Sequence, residues 1–537
     1  MLEIMSSLNF GRLLVILQPL LSLQVLASVP ECATTPPTVN LGYAQYQGAV
    51  DIGTNSTSFL GIRYAASPVG NLRWAAPQPP PTLSGVQDAT SAPNECYQAP
   101  TGNSLTNPLR TMYRRAVIES EDCLFLSVYT PGHKVTPVES GGLPVLVWIH
   151  GGGYISGAER PYNGTDLIVE SGHSLIVVTI QYRLGLFGFL AGEAVKHGGT
   201  LNAGLLDQNY ALQWVQTHIA TFGGDPTKVS IWGISAGGGS VLQHVVAHGG
   251  NTHPPLFRAA ITSSTFLPSQ YNYSDRIPEL LYNEVVAGTN CTSSPDTLSC
   301  LRAADLSTLE YLNNEINRNG FYGTFTFVPV VDGAFIMERP TVTLARGKVN
   351  GEALYAVTSS HEGNIFVNQT TTLNISQYLS TLFPNMQASQ VAEALPLYQG
   401  LGTNVDQANY VMGESIFVCP TYYLLEAFGG KAWKGEFAVL PGYHGQDKKY
   451  YFTSATSAFI TAFSNSFLAM AISLNPSDKY NASDVTPAQW NAWASGYTEM
   501  LFNVTSSGEP NIYTYTTATA LLNRCAYWRS VTENTGQ

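Results

Sequence analysis

The sequence predicts an α/β fold organised around one large, mostly parallel β-sheet. The first observation behind this prediction is a set of continuous apolar runs, which are typical of strands buried on both faces. The second is that segments with helical period separate these runs along the chain. The third is residues 229–239, where an apolar run leads directly into a glycine-bounded turn and then into a helical pattern.

In chain order, the predicted sheet begins with antiparallel strands. Residues 38–75 alternate apolar and polar positions in short runs and predict a hairpin region, residues 76–120 predict a loop, and residues 122–129 predict a strand. Further strands are predicted at residues 144–150, 175–182, 229–232, 259–263, 354–359 and 435–440. Helices are predicted at residues 208–222, 236–248 and 454–474, and residues 487–528 are predicted to be helix and loop. Residues 270–345 and 370–435 have the pattern of helical and irregular insertions that cap the sheet.

The first 27 residues are predicted to be a signal peptide. Arg12 precedes an apolar stretch at residues 13–26, and cleavage after Ala27 would place Val25 at the −3 position. A membrane anchor is the alternative, but polar residues and a proline interrupt the stretch, and it is short for a bilayer. Residues 28–537 contain neither an internal repeat nor a long linker, so we predict a single domain with no integral membrane anchor.

The composition favours a secreted, extracellular protein over a cytosolic one. Charged residues make up 12% of the chain, the net charge is −12, and the isoelectric point is about 5.3. Lysine and arginine form no long runs, which argues against nucleic acid as a partner. Eight Asn-x-Ser/Thr sequons are candidates for glycosylation: Asn55, Asn163, Asn272, Asn290, Asn368, Asn374, Asn481 and Asn503.

Seven cysteines are expected to pair mostly as disulfides in an oxidising compartment. Their spacing suggests the pairs Cys96–Cys123, Cys291–Cys300 and Cys419–Cys525. Cys32 is the odd cysteine, and three alternatives are open for it: a free thiol, a bond to another chain, or displacement of one of these pairings.

Residues 233–237 have the form Gly-x-Ser-x-Gly, with Ser235 at the centre. Between a strand and a helix, this is the context of a nucleophile elbow, a tight turn that raises the serine hydroxyl above the sheet edge. Gly233 and Gly237 are expected there because a Cβ atom at either position would meet the neighbouring strand or helix. The motif alone is weak, since a Gly-rich chain contains it by chance, and a plain glycine-rich turn is the alternative.

Ester hydrolysis through a serine also needs donors for the oxyanion, and residues 151–153 are candidates. These three glycines directly follow a predicted buried strand, so their N–H groups can approach a substrate carbonyl with no side chain in the way. Gly152 and Gly153, with the N–H group of Ala236 after the nucleophile, are therefore the predicted oxyanion hole. A flexible loop is the alternative for the three glycines.

The base and the acid are expected after Ser235, each just beyond a strand. His444 follows the strand at residues 435–440 and precedes a glycine, and Glu362 follows the strand at residues 354–359. His361 is the competing base, but it adjoins Glu362, and neighbouring side chains at a strand end usually point apart. We predict that His444 accepts the Ser235 proton, that Glu362 orients His444, and that no metal or organic cofactor is needed.

From about residue 61 to residue 528 these motifs resemble the type-B carboxylesterase/lipase family of α/β-hydrolases, which includes cholinesterases and extracellular fungal lipases. The resemblance is carried by residues 121–124, 148–153, 182–185, 204–208, 222–226 and 233–238. It implies the α/β-hydrolase fold, with a large, mostly parallel central sheet flanked by helices and capping insertions. It also implies the Ser235–Glu362–His444 triad and an oxyanion hole from Gly152, Gly153 and Ala236.

The same resemblance supports the three disulfide pairings and assigns structural roles to two buried ion pairs. The disulfides Cys96–Cys123 and Cys291–Cys300 match the family, and Cys419–Cys525 is similar to the third bridge of cholinesterases. The ion pairs implied are Arg73 with Glu121 and Arg183 with Asp207.

Two departures from the family argue against choline esters as substrates. Ile234 stands where cholinesterases carry a glutamate, and the loop between Cys96 and Cys123 has no tryptophan to bind a quaternary ammonium. Residues 262–265 also differ from the family's Ser-Gly-Ser, although Ser263 can still support the site. The loop is the family's lid in lipases, and here it is moderately amphipathic, so it is either a lid or a gorge rim. Its apolar residues are Leu105, Leu109, Met112, Tyr113, Val117 and Ile118, and its basic residues are Arg110, Arg114 and Arg115.

The sequence therefore predicts a secreted serine carboxylic-ester hydrolase, with an acyl-enzyme mechanism, acting on hydrophobic or aromatic-acyl esters. A true lipase acting on triacylglycerols or sterol esters at a lipid interface is the first alternative. A non-catalytic, cholinesterase-like adhesion protein is the second, and the presence of all four parts of the site argues against it.

Overall fold

The computed structural model describes residues 36–102, 118–480, 484–487 and 489–537. The predicted signal peptide, Cys32, Asn481 and residues 103–117 of the Cys96–Cys123 loop lie outside the described residues. Of the apolar residues named in that loop, only Ile118 is described, and it is exposed.

Eleven of the strands within the described residues form one sheet, and three short N-terminal strands form another. The strands are β1 (Thr38–Asn40), β2 (Gln45–Gln47), β3 (Ala49–Asp51), β4 (Ser56–Arg63), β5 (Val86–Asp88), β6 (Phe125–Pro131), β7 (Leu143–Ile149), β8 (Ile176–Ile180), β9 (Gly224–Ile234), β10 (Ala259–Ser263), β11 (Ala353–Ser359), β12 (Ala432–Phe437), β13 (Thr498–Val504) and β14 (Pro510–Thr516).

Helices cover the large sheet and fill the insertions. They are α1 (Gly164–Glu170), α2 (Gly185–Phe189), α3 (Glu193–Gly198), α4 (Ala203–His218), α5 (Ala236–Gly250), α6 (Arg276–Gly288), α7 (Thr297–Ala303), α8 (Leu306–Arg318), α9 (Pro340–Ala345), α10 (Ile375–Leu382), α11 (Ala388–Tyr398), α12 (Asn404–Gly413), α13 (Cys419–Phe428), α14 (Ala458–Ser473), α15 (Thr519–Ser530) and α16 (Thr532–Thr535). Among the described residues, none of these helices is both long and apolar enough to cross a membrane.

The large sheet has the strand order β14-β13-β12-β11-β10-β9-β7-β8-β6-β4-β3. Its seven central strands, from β13 to β8, run parallel, and antiparallel strands complete both edges. The prediction of a mostly parallel sheet flanked by helices is confirmed, and the predicted N-terminal antiparallel pairing corresponds to β3 with β4.

Continuous apolar strands are explained by burial on both faces of this sheet. Along β7, Val145 and Val147 pack into one hydrophobic cluster, whereas Leu146 and Trp148 pack into a second cluster on the opposite face. Helices α5 and α13 contact the sheet strands, and so do α1 and α14. With no solvent-facing side, the alternation of polar and apolar residues that marks a half-exposed strand disappears.

The prediction for the tail of the chain was wrong in part. Residues 487–528 were expected to be helix and loop, but residues 498–504 and 510–516 form the hairpin β13–β14. A tight turn closes it, with the Gly508 N–H donating to the Thr505 carbonyl at 2.9 Å. Strand β13 extends the parallel part of the sheet beyond β12, and β14 caps that edge with one exposed side, which explains its polar composition.

The three disulfides and the two ion pairs expected from the sequence are present among the described residues. The structure joins the cysteine pairs Cys96–Cys123, Cys291–Cys300 and Cys419–Cys525. The guanidinium of Arg73 lies 2.6 Å from Glu121, and that of Arg183 lies 2.7 Å from Asp207.

Candidate active site

Ser235 lies in the sharp turn between β9 and α5, with backbone angles of φ 58° and ψ −123°. A non-glycine residue adopts such angles only when its surroundings impose them. Two glycines make the turn possible: a Cβ atom on Gly233 would lie 2.3 Å from the Gly237 backbone, and one on Gly237 would lie 2.0 Å from the Ile149 carbonyl oxygen. The Ser235 N–H also donates to the Ser263 carbonyl at 2.8 Å, which fixes the turn against β10.

Ser235, His444 and Glu362 form a continuous hydrogen-bonded chain. The Ser235 Oγ lies 2.8 Å from Nε2 of His444, and Nδ1 of the same ring lies 2.6 Å from Oε2 of Glu362. With the Glu362 carboxylate accepting from Nδ1–H, Nε2 is left free to accept the serine proton. The second carboxylate oxygen of Glu362 accepts the N–H of Ser359 at 2.6 Å, and the Glu362 side chain is buried.

The sheet topology explains how three distant residues meet. Ser235 directly follows β9, Glu362 follows β11 by three residues, and His444 follows β12 by seven residues. These strands are close neighbours and run in the same direction, so their carboxyl ends lie at one edge of the sheet. The competing base, His361, is not at this point: its Nδ1 lies 3.1 Å from Ser360 Oγ, and its side chain is exposed.

The glycine run after β7 faces the same edge. Gly152 has a φ of 115° and Gly153 a φ of 65°, both in the region that favours glycine. A Cβ atom on Gly153 would lie 2.0 Å from Cδ1 of Phe325, so no larger residue fits there. Within the described part of the chain, the N–H groups of Gly152, Gly153 and Ala236 have no hydrogen-bond acceptor. They are free to bind an anion.

A second buried acid, Asp447, lies beside the triad, and sequence reasoning assigned it no role. Tyr451 OH donates to its Oδ2 at 3.3 Å, and Oδ1 has no partner within the described residues. Burial, followed by the nearby charge of Glu362, raises the pKa of Asp447 to about 6. Its place three residues after His444 was the only signal in the sequence.

Two phenylalanines missed by sequence reasoning enclose the His444 ring. The Phe417 ring centroid lies 4.6 Å from that of His444, and the Phe366 centroid lies 4.9 Å from it. Phe366 and Phe417 also stack on each other at 5.2 Å. Both residues belong to insertions, where hydrophobic period carries no information about proximity to the histidine.

The same rings form part of an apolar cavity with a volume of about 300 Å³. Among the described residues, its wall contains no charged side chain and is rich in phenylalanine: Phe189, Phe266, Phe321, Phe325, Phe327, Phe366, Phe383 and Phe417. Phe325 abuts Gly153, and Phe366 and Phe417 abut His444, so the cavity adjoins the triad. Such a wall suits an apolar ligand. Within the described residues, no group of histidine, cysteine and acidic side chains is arranged to hold a metal ion.

Comparison with known proteins identifies the family to which the chain belongs. Residues 35–465 match the Carboxylesterase family. Carboxylesterase patB of Penicillium expansum is 30% identical over 476 residues, which cover 78% of this chain and 82% of that protein. Secreted lipase 1 of Botryotinia fuckeliana is 34% identical over 353 residues, 62% of this chain, and the match spans 61% of the lipase.

Among solved structures, Aspergillus niger EstA superposes with a TM-score of 0.82 at 29% identity, covering 94% of this chain and 99% of that chain. A PNB esterase at 24% identity has the same fold, with a TM-score of 0.74 over 89% of this chain and 98% of that one.

Proposed function

Because the chain belongs to the carboxylesterase family, we propose that it hydrolyses carboxylic esters through an acyl-enzyme formed on Ser235. The observation that carries the proposal is the unbroken chain of hydrogen bonds from Ser235 through His444 to Glu362, beside the free N–H groups of the glycine run. Each part has the chemistry that acyl transfer requires.

In the proposed mechanism, Nε2 of His444 accepts the Ser235 proton as the hydroxyl attacks the ester carbonyl. The N–H groups of Gly152, Gly153 and Ala236 stabilise the oxyanion of the tetrahedral intermediate. His444 then gives the proton to the leaving alcohol, and the same residues direct water onto the acyl-enzyme. Glu362 holds the imidazole in the reactive tautomer and stabilises its charged form.

We propose small esters with a hydrophobic acyl group, including aromatic ones, as the substrate class. Support comes from the phenylalanine-rich cavity of about 300 Å³ beside the triad, to which the described part of the chain contributes no charged side chain. A charged acyl group would lose its hydration there without gaining a counter-charge. A lipase acting at a lipid interface is the second candidate, because one relative is called a secreted lipase.

Secretion is part of the proposal. The predicted signal peptide, the three disulfides and the relatives called secreted support it. Of the seven sequon asparagines that the structure describes, five are exposed and therefore accessible to glycosylation: Asn55, Asn163, Asn272, Asn290 and Asn374.

The test is the rate of hydrolysis of a short soluble ester and of a long-chain ester taken across its solubility limit. Ser235→Ala should lower kcat by at least about 10⁴-fold on both, because the nucleophile is removed. Ser240→Ala is the matched control, since this buried hydroxyl on the same helix donates to the Ala236 carbonyl, accepts Nε2 of Gln208 and makes no bond to His444. Activity retained in Ser235→Ala would refute the proposed nucleophile. A jump in the wild-type rate at the solubility limit would identify a lipase, and saturation without a jump would identify an esterase.

A further inference from the structure

The helix that carries Phe417 contains one wide turn. Helices α12 and α13 are joined by a single π-helical turn, Glu414–Val418, so that the backbone stays helical throughout. Such turns are rare and frequently occur at functional sites. This one presents Phe417 to the His444 ring and Ile416 to the apolar cavity.

Pro420 explains why the turn needs help from outside the helix. Pro420 has no N–H group. It therefore cannot make the α-helical bond to the carbonyl of Ile416, four residues back, or the π-helical bond to the carbonyl of Ser415, five residues back. Both carbonyls take donors from other segments. The Ile416 carbonyl accepts the N–H of Leu267 at 2.9 Å, and the Ser415 carbonyl accepts Nε2 of Gln537 at 2.8 Å.

The Gln537 amide makes a second bond that links this turn to the segment behind the nucleophile. Its Nε2 also donates to the Leu267 carbonyl at 2.7 Å. Leu267 follows Phe266, whose ring stacks on Phe417 with a centroid distance of 5.5 Å. The same segment begins at Ser263, whose carbonyl accepts the N–H of Ser235.

Gln537 is held rigidly in this position. The residue is only 2% exposed, and Thr535 Oγ1 donates to its side-chain Oε1 at 2.8 Å. Because the amide oxygen is used by Thr535, the orientation of the amide is set, and both N–H bonds point to the two carbonyls. One side chain therefore joins the turn packed on the base to the segment bonded to the nucleophile.

We propose that Gln537 is a positioning residue for ester hydrolysis, which holds the Glu414–Val418 turn so that Phe417 seats the His444 ring against Ser235. The inference rests on the proposed function of Ser235 and His444. Without the amide, two buried carbonyls lose donors and the turn relaxes. Small misplacements of a catalytic group lower the rate strongly, although the group remains present.

The first experiment compares Gln537→Met with Arg529→Met in the full chain. Methionine keeps the length of glutamine but has no donor, and Arg529 on α15 pairs with Glu426 on α13, away from the turn. On 4-nitrophenyl butyrate, with active sites titrated by a phosphonate, Gln537→Met should lower kcat per titrated site about tenfold while KM stays within twofold. Arg529→Met should leave both constants unchanged. A kcat within twofold of the wild type in folded Gln537→Met would overturn the proposal.

Thr535→Val is the second variant if Gln537→Met does not fold. It removes only the bond that orients the amide, and kcat should fall about threefold with KM unchanged. An unchanged kcat would contradict the positioning role.

A double-mutant cycle with Phe417→Ala tests the route of the effect. If Gln537 acts through Phe417, adding Gln537→Met to Phe417→Ala should lower kcat by less than twofold more. Fully multiplicative losses would refute this route. Failure of the proposed function gives a different result, because Ser235→Ala would then retain the activity of the wild type.

Discussion

The sheet edge that carries the triad and the cavity beside it differ in what determines their residues. At the edge, backbone atoms lie within 2.3 Å of where a Cβ atom of Gly233 or Gly237 would stand, so the close approach of the backbone dictates the residue type. In the cavity, side chains from widely separated insertions meet only because the chain has folded. Substitutions at the edge should therefore remove activity on every ester, whereas substitutions in the cavity should change which esters are preferred.

The largest effect after the nucleophile is expected at Glu362. Glu362→Gln should lower kcat on the order of 10⁴-fold, because an amide no longer enforces the reactive tautomer of His444. Asp447→Asn is the matched control, a buried acid near the same imidazole without a hydrogen bond to it, and its loss should be at least about 100-fold smaller. Steady-state kinetics on a short ester measures both losses of kcat. Equal losses in the two variants would mean that charge near the imidazole matters more than the hydrogen bond.

Gly153 is where the two regions touch, and Gly153→Ala should lower kcat/KM on the order of 10²-fold. The new methyl group would overlap Phe325, displacing either the N–H donor or the cavity wall. Gly172→Ala controls for backbone strain, since Gly172 has a φ of 62° against 65° for Gly153 but no atom within 4 Å of its Cβ position. If both variants lose the same activity, strain and not the overlap is responsible.

Filling the cavity should change selectivity by about tenfold without touching the edge. Leu281 lines the cavity, and Leu281→Trp should lower kcat/KM for bulky acyl esters about tenfold while that for acetate esters stays within twofold. Leu280→Trp on the same helix is the control, because Leu280 is 54% exposed and does not line the cavity. Equal losses on all esters would place the acyl group elsewhere.

Away from both regions, an effect on stability and none on the rate is expected at Glu159. Its buried carboxyl accepts the hydroxyls of Ser127 and Thr179, and burial raises its pKa to about 7 from 4.5. Since the unfolded chain ionises first, the free energy of unfolding should fall as pH rises from about 4.5 to about 7, by about 1.4 kcal/mol per unit of pKa difference. Glu159→Gln should remove this part of the slope in denaturant unfolding followed against pH. Parallel curves for the two proteins would contradict the assignment.

The hydrophobic pattern of the sequence predicted secondary structure correctly where strands are buried on both faces, and poorly elsewhere. Residues 143–149, 176–180 and 353–359 were anticipated as strands because burial on both faces leaves a continuous apolar run. Residues 498–504 and 510–516 were misassigned because the outer strand has one exposed side and mixed polarity. Asp447 and Phe417 were not anticipated, since neither spacing nor period indicates which insertion residue will face the histidine.

The sequence by itself determined most strands of the parallel sheet, the elbow at Ser235, the glycine run after β7 and the positions of Glu362 and His444 beyond their strands. Each of these depends on neighbours a few residues away along the chain. Only the tertiary structure decided that phenylalanines enclose the imidazole and that Gln537 donates to a carbonyl that Pro420 cannot reach. Those contacts join residues separated by tens to hundreds of positions, and the packing of side chains that specifies them exists only in the folded chain.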